Sequence, residues 1–254
     1  MEDIKKIKMS STNDYKLHYV VVFYIGPNRN YTSYQHLFKT DPLMMFRRHV
    51  DFLKTVDNNL KSATFIFNQD LDPTIRQELE NFKDYPLPVT IGYYNGPGFS
   101  YGAWNEVIKK RMNNYDYLFL IEDDYIPTRP DFYKPFVDRC NDEYPYVCTY
   151  VEERSPNQFV ASSSNAIIKA KQCKEIFGKY GEVFTALNSN SLQEAWNTQI
   201  NFLNFFFNEG YKIRDILDEY QTPHMLNCNI NHLVTFGNQN APILIEPIIV
   251  PLIQ

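Results

Sequence analysis

Residues 116–124 read Asp-Tyr-Leu-Phe-Leu-Ile-Glu-Asp-Asp. The run Tyr117–Ile121 is almost wholly apolar and ends abruptly in three carboxylates. A short, continuous apolar run of branched and aromatic residues predicts a strand buried on both faces, the kind found in parallel sheets flanked by helices.

The residues before it agree. Leu17–Ile25 (LHYVVVFYI) predicts a central strand stopped by Gly26-Pro27-Asn28. Ala63–Asn68 and Pro88–Tyr94 predict two more. Between the strands, Leu43, Phe46, Val50 and Leu53 recur at helical spacing behind Asp41-Pro42. Ile75, Leu79 and Phe82 do the same behind Asp72-Pro73. Asp followed by Pro is a helix-start signal, a capping side chain and then a residue whose missing N–H costs nothing at the first helical position. Ala103, Trp104, Val107 and Ile108 mark a third helix with Ser100 as its expected cap, after the turn Asn95-Gly96-Pro97-Gly98. Strand and helix thus alternate four times, which predicts a largely parallel, doubly wound sheet with its ligand at the carboxyl ends of the strands.

The second half is less regular. Tyr146–Val151, Ala166–Ile168 and Tyr211–Ile216 predict strands, and Ser191–Glu209 predicts a helix closed by Gly210. No repeat or linker divides the chain, so residues 15–235 are expected to form one domain. Residues 1–14 are polar and expected to be frayed. Residues 236–254 are apolar from Ala241 onward but carry Pro242, Pro247 and Pro251, so an extended tail is expected rather than a helix.

Composition narrows the partners. With 44% hydrophobic and 22% charged residues the chain can build a core. The 25 Lys+Arg against 30 Asp+Glu leave it net negative, which argues against nucleic acid as a partner. No apolar run approaches the ~18 residues of a membrane span. Met1–Ser11 lacks the apolar centre of a secretory signal, so a cytoplasmic location is expected. Cys140, Cys148, Cys173 and Cys228 form no CxxC pair, and Cys140 and Cys148, in apolar surroundings, read as buried thiols.

Glu122, Asp123 and Asp124 carry the chemistry. Adjacent carboxylates repel one another, a cost relieved when they hold a hard divalent cation that bridges to substrate phosphates. A solvated strand-end turn is the plain alternative. From Tyr94 to Phe132 the chain resembles the centre of the GT-A-fold nucleotide-sugar glycosyltransferases of family 2. Asn95, Gly96, Ala103, Asn105, Glu122, Asp124 and Pro127 fall on that pattern in order. Glu122-Asp123-Asp124 followed by Pro130-Asp131-Phe132 is similar to the N-acetylglucosaminyltransferase I group.

The resemblance implies a GT-A (Rossmann-like) α/β fold, a mostly parallel central sheet flanked by helices with a small antiparallel acceptor-side portion. It implies a nucleoside-diphosphate sugar donor of the UDP or GDP type, a glycan or glycoconjugate acceptor hydroxyl, and Mn²⁺ or Mg²⁺. Asp124 would bind the metal, and Glu122 and Asp123 the ribose or metal-bound waters. Asn28, Arg29 and Asp70 would hold base and ribose, with Asn95, Gly96 and Asn105 also on the donor side. His224 would be a late metal ligand, with His232 as the alternative. Glu194 would be the catalytic base. It stands one turn before the family's register, where Thr198-Gln199 occur, and it also completes a capping box with Ser191. Ser162-Ser163-Ser164-Asn165 replace the glycines of the family's acceptor loop. One base and one metal suit inverting transfer. The alternatives are an inactive carbohydrate-binding or assembly module, or a sugar-phosphate nucleotidyltransferase. The latter would want a basic glycine-rich loop where Gly26–Asn30 offers only Arg29.

Overall fold

A computed structural model of the chain describes residues 14–25, 41–68, 71–127, 129–149, 151–155, 158–161, 165–185, 202–216 and 230–232. Four strands come first, β1 (Leu17–Phe23), β2 (Leu60–Asn68), β3 (Val89–Tyr94) and β4 (Tyr117–Glu122). They are separated by helices α1 (Met44–Leu53), α2 (Pro73–Asn81) and α3 (Phe99–Arg111). Next come β5 (Tyr125–Pro127), α4 (Lys134–Val137), β6 (Tyr146–Cys148) and the hairpin β7 (Val151–Ser155)–β8 (Gln158–Ala161). Then follow β9 (Asn165–Lys169), α5 (Ala170–Tyr180), α6 (Asn204–Asn208), β10 (Ile213–Asp215) and β11 (Ile230–His232).

Seven strands make one sheet in the order β3-β2-β1-β4-β9-β6-β10. Every strand in it is parallel to β1 except β9, which pairs antiparallel with both β4 and β6. The expected α/β sheet with a small antiparallel portion is therefore present. β1 is buried along its whole length, as its apolar run demands. Tyr19, Val21 and Phe23 point to one face with Phe46 of α1, Phe65, Phe67 and Phe119. Val20 and Val22 point to the other, with Trp104 and Ile108 of α3 and Ile176 of α5. The first layer is aromatic: Phe23 stacks on Phe67 with centroids 4.8 Å apart, and Phe119 meets Phe132 edge-on at 4.7 Å. Removing one such ring costs ~3–5 kcal/mol, more than any cap or surface ion pair, so this layer decides which face α1 covers.

Local signals succeeded where one side chain had one job. Asp72 caps α2, accepting the Thr74 N–H at 2.8 Å with Pro73 at the first helical position. Gly210 takes φ 78° after α6, as a closing glycine should. Two starts differ from expectation. Asp41 does not cap α1: its carboxylate binds the Leu43 N–H and the Arg47 guanidinium, so Pro42-Leu43 make a turn and the helix begins at Met44. Ser100 does not cap α3 either. Gly98, in the left-handed region at φ 86°, stands at the cap position and Ser100 lies inside the helix. Residues 170–180, to which the sequence assigned no element, are α5. It leaves β9 without a turn or a capping side chain and stops at Gly181, φ 78°. Of the helix expected over 191–209, only α6 lies within the described residues.

Candidate active site

After β1 the chain moves outward to β2 and β3, then returns across them to lay β4 on the other side of β1. The strand order therefore reverses between β1 and β4, and such a reversal opens a crevice beyond the carboxyl ends of the two strands. Val22 pairs with Glu122 in the last rung. The three acids thus stand at the mouth of that crevice because the apolar run of β4 ends there.

The three carboxylates have different surroundings. Asp123 is fully buried. Its N–H donates to Val22 O at 3.0 Å and its Oδ2 accepts the Tyr24 N–H at 3.1 Å. It therefore ties β4 to the residue that leaves β1. Behind it stands His49 of α1, also fully buried. His49 Nε2 lies 3.0 Å from the Asp123 carbonyl, and Nδ1 lies 3.0 Å from the Tyr19 hydroxyl. A carbonyl can only accept, so Nε2 carries the proton and Nδ1 accepts from Tyr19. Burial lowers the His49 pKa to about 4, against the opposing pull of the Asp123 carbonyl and the Asp124 charge, so the ring is neutral at pH 7.

Glu122 faces the other side of the sheet, toward α3. Its Oε1 accepts from Ser100 Oγ at 2.8 Å, and Ser100 Oγ lies 2.7 Å from the Tyr24 hydroxyl. The Ser100 proton is given to the carboxylate, so Tyr24 is the donor in the second bond. Burial and then the Glu122 charge push the Tyr24 phenol well above its ordinary pKa, so it stays protonated and able to donate. Tyr24, Ser100 and Glu122 form a directed relay of protons toward one carboxylate. Asp124, 6% exposed, is the last of the three. β5 starts one residue beyond it and pairs antiparallel with β11, His232 opposite Tyr125.

Asn95 and Gly96 lie exposed in the turn that follows β3, at the same carboxyl edge. Asn105 is buried within α3, where Oδ1 accepts the N–H groups of Val183 and Phe184 at 3.0 and 2.9 Å and Nδ2 donates to Phe184 O at 3.0 Å. Its amide fastens residues 183–184 to α3 rather than facing the crevice. Tyr101 packs on Trp104 and Phe202 in the core, and the Tyr94 hydroxyl donates to Pro97 O at 2.5 Å and closes the turn. Asn28, Arg29, Asp70, Glu194 and His224 lie outside the described residues. Sequence reasoning missed Tyr24, His49 and the true duty of Ser100. The available signal was His49 itself, three residues after Phe46 and so on the apolar face of α1.

Among the described residues no three His, Cys, Asp or Glu side chains converge as a ready-made metal cage. Glu122 and Asp124 are nevertheless hard oxygen donors at a strand end. That set fits Mg²⁺ or Mn²⁺ in the mode where one or two carboxylates hold the ion and substrate phosphates and water complete its shell.

No protein-family model and no curated protein matches the sequence. Solved structures resemble it weakly. A putative glucose-1-phosphate thymidylyltransferase from Bacillus anthracis is 11% identical with TM-score 0.48, over 88% of this chain and 98% of that one. The 4-diphosphocytidyl-2C-methyl-D-erythritol synthase of Anaerococcus prevotii is 10% identical with TM-score 0.45, over 79% and 85%. Mannosyltransferase PcManGT of Pyrobaculum calidifontis, solved with GDP-Man and Mn²⁺, is 13% identical with TM-score 0.45, over 68% and 48%. Likeness at this level assigns neither activity nor residues, and the fold stands on the strand order itself.

Proposed function

We propose that the chain transfers a sugar from a nucleoside-diphosphate sugar to an acceptor hydroxyl, with inversion and with Mn²⁺ or Mg²⁺. The observation that carries the reading is the placement of Glu122 and Asp124 at the β1/β4 strand reversal, with Asp123 turned inward to fix them. In this proposal Asp124 holds the metal, Glu122 orients ribose or metal-bound water, and His224 completes the metal's protein ligands. What a bound ion supplies is neutralisation of the charge that builds on the departing diphosphate. The acceptor oxygen bonds to the anomeric carbon as the bond to diphosphate breaks, and Glu194 takes the hydroxyl proton. Ser100 and Tyr24 hold Glu122 by donating toward it. Asn28, Arg29 and Asp70, which follow β1 and β2 in the sequence, contact base and ribose, and Asn95 and Gly96 border the donor.

Titration calorimetry with UDP and GDP in Mn²⁺ tests the reading. Asp124→Asn is expected to abolish metal-dependent binding while circular dichroism stays unchanged, and EDTA is expected to do the same to the wild type. Undiminished affinity in either case would overturn the proposal.

A further inference from the structure

β3 is an outer strand of the sheet, and no strand among the described residues pairs with its far side. Ala63 N–H bonds to Pro88 O at 3.0 Å. In a parallel ladder alternate residues face the neighbour, so Thr90, Gly92 and Tyr94 turn their amides toward β2. Val89, Ile91 and Tyr93 turn theirs outward. Natural sheets blunt such an edge with charge, proline or a bulge. Val89–Tyr94 reads VTIGYY and pairs with β2 in unbroken register, so it has none of these. Tyr93, 36% exposed, is also the exposed large hydrophobic side chain among the described residues.

Charge beside this edge points to its occupant. A groove of about 290 Å³ runs between β3 and α3, lined by Gly92, Tyr94, Glu106, Lys110 and Arg111 among others. Arg111 Nη2 donates to Thr90 Oγ1 at 2.6 Å, and Gly102 lies against the Tyr94 hydroxyl. α3 therefore runs antiparallel to β3. Nine helical residues at ~1.5 Å and four strand residues at ~3.3 Å both span about 13 Å, so the two elements stay level throughout. The midpoint of β3, between Ile91 and Gly92, is thus level with Val107 and Ile108 of α3, with Glu106 above that level and Lys110 below. A two-fold axis at that midpoint would pair two β3 strands antiparallel and bring Glu106 of each copy level with Lys110 of the other.

We propose that the β3 edge is a homodimer interface, two copies joining through antiparallel β3 strands with Glu106 and Lys110 matched across the axis. Such an interface is self-complementary, as a two-fold contact must be. Like charges across it would oppose assembly.

The test is the mass in solution by light scattering, with circular dichroism as the check on folding. The wild type is expected to pass from the 30.0 kDa chain mass to twice that value as concentration rises, within about 1–200 µM for a small interface. Ile91→Pro removes an outward N–H at the centre and is expected to leave the monomer. Lys110 is exposed and Glu106 half-buried with its side chain 43% accessible, so Glu106→Lys and Lys110→Glu are expected to fold, and each alone places like charges across the axis and weakens the dimer roughly tenfold or more. Mixed in equal amounts, the two variants are expected to form the heterodimer, in which charges are again opposite. Loss of the in-helix Glu106–Lys110 pair, 3.5 Å in the wild type, cannot produce that recovery. A wild type that stays monomeric throughout, a dimer indifferent to Ile91→Pro, or a mixture that shows no recovery would each overturn the proposal.

Discussion

Ser100→Ala is the sharpest perturbation of the site, because one hydroxyl serves two partners. It gives its proton to Glu122 Oε1 at 2.8 Å and receives that of Tyr24 at 2.7 Å. A hydrogen bond to a charged group contributes ~1.5–3 kcal/mol and a neutral one about 1. Alanine fills nearly the same volume, so no cavity or clash is added. Together these give a loss of about 3 kcal/mol for Ser100→Ala. Tyr24→Phe removes the second bond together with the phenol's bond with Asn68 and should cost about 1–2 kcal/mol. The double variant should cost less than the sum of the two single variants, because each of them already removes the shared bond. A coupling of about 1 kcal/mol therefore closes the cycle. Urea unfolding measures all four proteins, and an unchanged dependence on urea shows that stability alone has moved. A loss under about 0.5 kcal/mol for Ser100→Ala, or strict additivity in the double variant, would refute the relay.

Three further outcomes are expected. Glu194→Gln should lower kcat roughly 10²-fold or more with nucleotide affinity preserved, measured by steady-state transfer beside calorimetry; turnover within a few-fold of wild type places the base elsewhere. His18 is fully buried between Ser62 and Thr64, and burial, then Arg111, lower its pKa to about 3. The unfolded chain therefore takes up this proton first, so stability should fall as pH drops from about 6.5 toward 3, by ~1.4 kcal/mol per unit from this residue, and His18→Gln should flatten the slope seen in urea unfolding at stepped pH. Gly102→Ala would place a methyl onto Pro97 O and the Tyr94 hydroxyl, whereas at Gly178 in α5 a methyl meets nothing within 4 Å. The first should destabilise by ~2–3 kcal/mol and the second stabilise by up to ~1 kcal/mol, opposite shifts that thermal unfolding resolves.

What was legible in the sequence depended on whether a signal stayed within its own element. The apolar runs of β1 and β4 announce burial on both faces wherever they lie, so the largely parallel sheet could be read directly, whereas its strand order came only with the pairing. Asp72-Pro73 is a complete local device, and it works as written. Ser100 looked like a cap because serine after a glycine turn usually is one. The turn instead placed Gly98 in the left-handed region, and the hydroxyl went to a carboxylate 22 residues away. Asp123 could not be told from its neighbours by type. Only the strand pairing shows that its side chain turns inward to Tyr24. α5 escaped notice because it follows β9 without a turn, so nothing marked its start. Asn28, Arg29, Asp70, Glu194 and His224 lie outside the described residues, and only their sequence positions speak for them.

β9 has a consequence for how this architecture can diversify. Its reversed direction means that the chain leaves β6 and re-enters the sheet at the same edge, where Cys148 and Ala166 are partners, about 5 Å apart. The part of the β7–β8 excursion beyond Val151 and Ala161, which pair with each other and are buried in the core, is therefore an exchangeable cassette. Its two ends are pinned side by side in the scaffold, and its length is free. A longer or chemically different hairpin can be grafted there without rethreading any crossover, at an entropic cost of only about 0.6 kcal/mol per doubling of loop length. Variation can accumulate in this segment while Glu122, Asp123 and Asp124, anchored from behind by His49, keep their geometry.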